Sequence, residues 1–71
     1  MCEFKVYLKD IEKENIIAED IVYAKSINNE IILKGVLGDS TSVKNVIIEE
    51  VDVSNEVLRL TPAVKPIELT K

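Results

Sequence analysis

Residues 20–34 read DIVYAKSINNEIILK, and the Asn28-Asn29 pair in their middle decides the fold. Asparagine tolerates positive φ, so two of them between apolar runs signal a two-residue hairpin turn. Before the pair, Asp20–Ile27 is β-branched or aromatic at most positions that can be buried. After it, Glu30–Lys34 answers as the returning strand. A helical reading of residues 11–25 is the alternative, because Glu, Lys and Ala are frequent there.

Working outward, residues 1–9 read MCEFKVYLK. Cys2, Phe4, Val6 and Leu8 alternate with Glu3, Lys5, Tyr7 and Lys9, the period of a half-buried strand. Cys2 therefore shares a face with the core residues of that strand. DIEKEN (residues 10–15) reads as a turn, Ile16-Ile17 as a short strand and Ala18-Glu19 as a bend. Gly35 interrupts its strand and suggests a bulge. Gly38-Asp39 is the next turn, Val43–Val53 the next strand run, and Ser54-Asn55 another turn. Glu56–Leu60 closes the set with Leu58 and Leu60 facing inward. Short connections rich in Gly, Asn, Asp and Ser predict an all-β domain over residues 1–61. The expected form is an antiparallel meander curled into a small SH3-like barrel. Pro62 and Pro66 oppose a further central strand, so residues 62–71 read as an extended or mobile tail. Its Ile67 and Leu69 are placed to pair with a neighbouring edge, in this chain or a partner.

Seventy-one residues lie near the size where one hydrophobic core barely suffices. The single cysteine excludes an intramolecular disulfide, which leaves dimerisation or efficient packing as the stabiliser. A net charge of −4 opposes binding to nucleic acid, which needs clustered cations. A lone thiol suits a reducing compartment. With neither a basic-then-apolar leader nor a long apolar run, the expectation is a cytoplasmic chain without a membrane span. There is no histidine, so the commonest general base and the commonest metal ligand are both missing. That argues against an enzyme.

Ser40, in Gly38-Asp39-Ser40, invites a nucleophile reading with Lys44 as its base, but the tripeptide is an ordinary turn sequence. Gly35 and Gly38 lack the Gly-Lys-Ser/Thr ending of a phosphate loop. The acidic clusters Asp10/Glu12/Glu14 and Glu49/Glu50/Asp52 lack calcium-loop spacing and read as hydrated faces. Tyr7 and Tyr23, with Lys5, Lys9 and Lys25, would form a stacking platform for RNA, against the sign of the net charge.

Cys2 is either a small apolar core residue or a metal ligand. A thiolate beside backbone nitrogen chelates a cation that accepts square-planar geometry, namely Ni(II) or Cu(II). One chain offers too few soft donors to complete such a site. Two chains about a two-fold axis bring two Cys2 thiolates together.

Met1-Cys2 is followed by Lys5-Val6-Tyr7-Leu8, Asp20-Ile21-Val22 and Ile31-Ile32-Leu33. Leu37-Gly38-Asp39, Ile48-Glu49-Glu50-Val51-Asp52-Val53 and Asn55-Glu56-Val57-Leu58 come next. Over residues 1–60 the chain thereby resembles the CooT-type family, small nickel-binding accessory factors of carbon monoxide dehydrogenase maturation. Relatives have also been labelled predicted RNA-binding proteins. The resemblance implies a homodimer of small β barrels with one nickel ion shared between two Cys2 residues. The expected function is then a non-enzymatic nickel carrier or metallochaperone with a nickel-enzyme client. Its ligands would be the Cys2 thiolate and backbone nitrogen at Cys2 and Glu3. The alternative is an RNA- or protein-binding β barrel with Cys2 in its core.

Overall fold

The computed structural model describes residues 3–9 and 12–63. Six strands follow one another: β1 Phe4–Lys9, β2 Glu14–Ile27, β3 Glu30–Gly35, β4 Ser40–Lys44, β5 Val46–Asp52 and β6 Val57–Pro62. The helical alternative for residues 11–25 is excluded, since β2 runs through most of them. The Asn pair forms the expected hairpin: Asn28 and Asn29 have φ of 49° and 60°, and Ile27 faces Glu30 across the turn. Positive φ at both central residues gives the turn the twist of its strands. Asn29→Val, which crowds a branched Cβ into that conformation, should cost about 1–2 kcal/mol. Asn29→Gly should leave the urea midpoint nearly unchanged. Equal midpoints for both variants would contradict the turn assignment.

β2 is one strand rather than the two expected. Its bend sits at Asp20, with φ of 57°, not at Ala18-Glu19. The Asp20 carbonyl accepts a hydrogen bond from Val36 N–H at 2.9 Å, which ties the bend to the turn after β3. The bulge expected at Gly35 lies on the partner strand, where the register shifts between Ile21 and Tyr23. Gly35 itself stands opposite Ile21, and a Cβ there would collide with the Asp39 carboxylate.

β1 to β4 form an antiparallel meander, as expected, but β5 and β6 depart from it. The strand order is β4-β3-β2-β1-β6-β5, and β6 pairs with β1 in parallel, Val6 beside Leu58 and Leu8 beside Leu60. The run Val43–Val53 is broken at Asn45, whose φ is 62°. This left-handed residue turns β5 away from β4 and across to the β2–β3 turn, where Val46 N–H donates to the Asn29 carbonyl at 3.1 Å. The β5–β6 hairpin then returns to β1. The result is a mixed six-stranded sheet, curled but not closed, which corrects the expected SH3-like barrel. Among the described residues no ladder joins the two edge strands β4 and β5.

The core fills the concave side with Val6, Ile21, Ile31, Leu33, Val46, Leu58 and Leu60, flanked by Phe4, Leu8, Ala18 and Val43. Val6, Phe4 and Leu8 on one strand, and Leu58 and Leu60 on another, are the inward residues that period two selects. Each full burial of such a side chain is worth about 1.5–3 kcal/mol. Seven of them make a small core, as expected for this length. From Val64 onward the tail lies outside the described residues.

Candidate metal centre and its surroundings

The ladders fix where the start of β1 lies. Phe4 pairs with Ile21, and Ile21 with Gly35. Lys5 pairs with Val57, and Val57 with Asp52. One end of the sheet therefore carries the N-terminus of β1, the 36–39 turn and the 53–56 turn together. Lys5 N–H donates to the Glu56 carbonyl at 3.0 Å, so β1 is anchored from its second residue. Glu3 precedes β1 and is half-buried. Cys2, the principal candidate ligand, lies outside the described residues. This end is apolar for a surface: Leu37 is 92% exposed and Val53 63%, with Val36 beside Leu37 also exposed.

Phe4 also lines a groove of about 260 Å³ with Ile21, Val22, Tyr23, Ala24, Ile48, Val51 and Leu58. It is the unclosed mouth of the curled sheet, between edge strand β5 and the second half of β2. Neither the groove nor the apolar end was legible in the sequence, because both depend on where the sheet stays open.

The acidic clusters take a form the sequence did not suggest. Glu14 and Glu50, far apart in the chain, meet on Arg59, whose Nε and Nη1 bind their carboxylates at 3.0 and 2.7 Å. Those contacts, the Glu50 hydrogen bond foremost, raise the guanidinium pKa further. Lys9 Nζ lies 3.5 Å from Glu49. Arg59, which sequence reading passed over, thus ties β6 to β2 and β5. Such a cleft is cross-linked by its own cation, and exposed pairs of this type contribute little to stability. Asp10 lies outside the described residues. Among the described residues no group of three or more His, Cys, Asp or Glu is arranged to hold a metal ion.

Asp52 has a separate task. Its carboxylate accepts hydrogen bonds from Asn55 Nδ2 at 2.9 Å and Asn55 N–H at 3.1 Å. These bonds, the side-chain one first, hold its pKa below the usual carboxylate value, and the Arg59 charge adds to them. A depressed folded-state pKa stabilises above the unfolded value and is lost as pH falls through the folded one. The urea midpoint should therefore drop below about pH 4, and Asp52→Asn should shallow that drop. An identical acid profile for the variant would contradict this role.

The other candidates disperse. Ser40 and Lys44 stand at opposite ends of β4, about 13 Å apart along a strand, too far for a nucleophile and its base. Tyr7 faces the Arg59 guanidinium at 5.7 Å, and Tyr23 faces Lys34 at 4.6 Å. Each ring already carries a cation from its own chain. Among the described residues no helix is long and apolar enough to cross a membrane.

The family model for CO dehydrogenase accessory protein CooT matches residues 1–61. That span takes in β1 to β5 and β6 as far as Thr61. The chain belongs to the CooT family. No curated protein matches it. The CooT match includes Cys2 and stops where the proline-containing tail begins. A family of CO dehydrogenase accessory proteins is consistent with an enzyme client and a role in maturation.

Proposed function

We propose that this chain is a cytoplasmic nickel carrier for CO dehydrogenase maturation, not an enzyme, and that it acts as a homodimer. One Ni(II), the cargo, is held between the Cys2 thiolates of two copies. Backbone nitrogen at Cys2 and Glu3 supplies the remaining donors. The observation that carries this reading is the family match over residues 1–61, which includes the only thiol in the chain.

The fold supports it in two ways. The sheet end at which β1 begins is ringed by exposed Leu37, Val36 and Val53, apolar surface suited to a second copy. A two-fold contact there brings both N-termini to the axis. A site shared across an interface also opens more readily than a buried cage, as delivery of a cargo ion requires. Equilibrium dialysis should show Ni(II) retained by the reduced wild-type chain and lost from Cys2→Ser. Equal retention by both would overturn the reading.

A further inference from the structure

We propose that the outer edge of β4 takes up an extended acidic segment of a partner protein, carboxylates alternating with apolar residues, as a further strand. The proposal does not rest on the nickel reading.

The two edges of the sheet are unlike. β5 is interrupted by its bulge between Ile48 and Glu50. β4 pairs with β3 without a register shift, from Ser40 opposite Lys34 to Lys44 opposite Glu30. Among the described residues no strand pairs with its other side, so the main-chain groups of every second residue are turned outward. A regular edge of this kind is a template for main-chain pairing.

Side-chain parity selects the occupant. Ile31 and Leu33 are buried on the concave side, so Glu30, Ile32 and Lys34 take the convex side. Their partners Lys44, Ser42 and Ser40 share that side, as do Tyr23 and Lys25 on β2. The convex face of β3, β4 and the second half of β2 thus sets Lys25, Lys34 and Lys44 against Glu30 alone. This stands out in a chain of net charge −4. The Glu30 carboxylate is already engaged, accepting a hydrogen bond from Ser42 Oγ at 2.6 Å. Among the described residues no ion pair reaches any of the three lysines.

An added strand lies about 5 Å from β4 and about 10 Å from Lys34 on β3. One of its side chains stands opposite Lys44, and the next on that face stand opposite Ser42 and Ser40. The serines are short, so carboxylates there meet Lys44 on the diagonal and Lys34 behind Ser40. Opposite charges across such pairs attract and like charges repel. The intervening side chains fall on the concave side, beside half-buried Val43 at the margin of the core. That position suits apolar residues.

A second copy fits this edge poorly. Antiparallel pairing of two β4 strands about Ser42 sets Lys44 of each chain against Ser40 of the other, with Lys34 next in the row. Lysine then approaches lysine twice. Nucleic acid fits no better, because three lysines on an acidic chain neutralise few phosphates.

The test is amide NMR of the full chain, titrated with a short synthetic peptide of alternating Glu and Val. Signals of Thr41–Lys44 should move and those of β5 should stay. Alternate β4 amides, fast to exchange in the free chain, should become slow. Lys44→Glu should weaken binding by about tenfold. Lys13→Glu, an equal change of net charge on an exposed residue before β2, should leave it nearly unchanged. N-methylation of the peptide amides, which removes donors and keeps charges, should abolish binding. Equal weakening by both variants, or binding that survives N-methylation, would overturn the proposal. So would displacement of the peptide by poly(U), the mark of a general polyanion site. Uniformly slow exchange along β4 before any peptide is added would overturn it too, since that edge is then already covered. Nickel binding is read separately, so failure here leaves the metal reading untouched.

Discussion

Leu60→Ala is expected to lower the stability of the domain by about 2–5 kcal/mol, the range for truncating a fully buried leucine. Leu60 has no exposed surface. It pairs with Leu8 on β1 and with Ile48 on β5, so its side chain lies where the parallel and antiparallel ladders meet. A hole there cannot be filled without moving both neighbours. At roughly 0.05–0.15 kcal/mol per residue, the whole domain is stable by only about 4–11 kcal/mol. The variant should therefore be partly unfolded at modest urea concentrations, as far-UV circular dichroism would show. Lys13→Ala is the control. Lys13 is exposed, and its replacement should stay within about 0.5 kcal/mol of wild type. A Leu60→Ala midpoint as high as that of Lys13→Ala would contradict the assigned core.

Cys2→Ser is expected to weaken Ni(II) binding by about a hundredfold or more. A thiol ionises near pH 8.5, close enough to neutrality for a bound cation to displace its proton. A serine hydroxyl does not ionise in this range and is a harder donor, poorly matched to a site built on sulfur. Because ligation releases the thiol proton, wild-type affinity should rise as pH rises toward that value. The fold should be indifferent to the change, since the first strand begins at Phe4 and its anchor is the Lys5–Glu56 bond. Competition with a chromophoric chelator measures the loss. An affinity within threefold of wild type would exclude Cys2 as a ligand.

The hairpin at Asn28-Asn29 and the inward sets Phe4/Val6/Leu8 and Leu58/Leu60 were legible because φ tolerance and period two are local properties. Closure was not. The chain breaks at Asn45, whose left-handed conformation turns β5 away from β4, and β5 pairs with β6 instead. The parallel β1–β6 ladder is equally hidden, since nothing within either strand records its partner's direction. Arg59 was missed for the same reason: its partners Glu14 and Glu50 converge only after the crossover. Of the candidate centre, the sequence named the thiol, and the fold added the apolar end formed by Leu37 and Val53. Cys2 itself lies outside the described residues, so its role rests on chemistry and family.

The most direct test of the central claim is an anaerobic titration of the reduced chain with Ni(II), followed by absorbance and molar mass together. The proposed site predicts a thiolate-to-nickel charge-transfer band that saturates at one metal per two chains, in a species of twice the chain mass. A band that saturates at one metal per chain, or no band with the mass of a single chain, would contradict it.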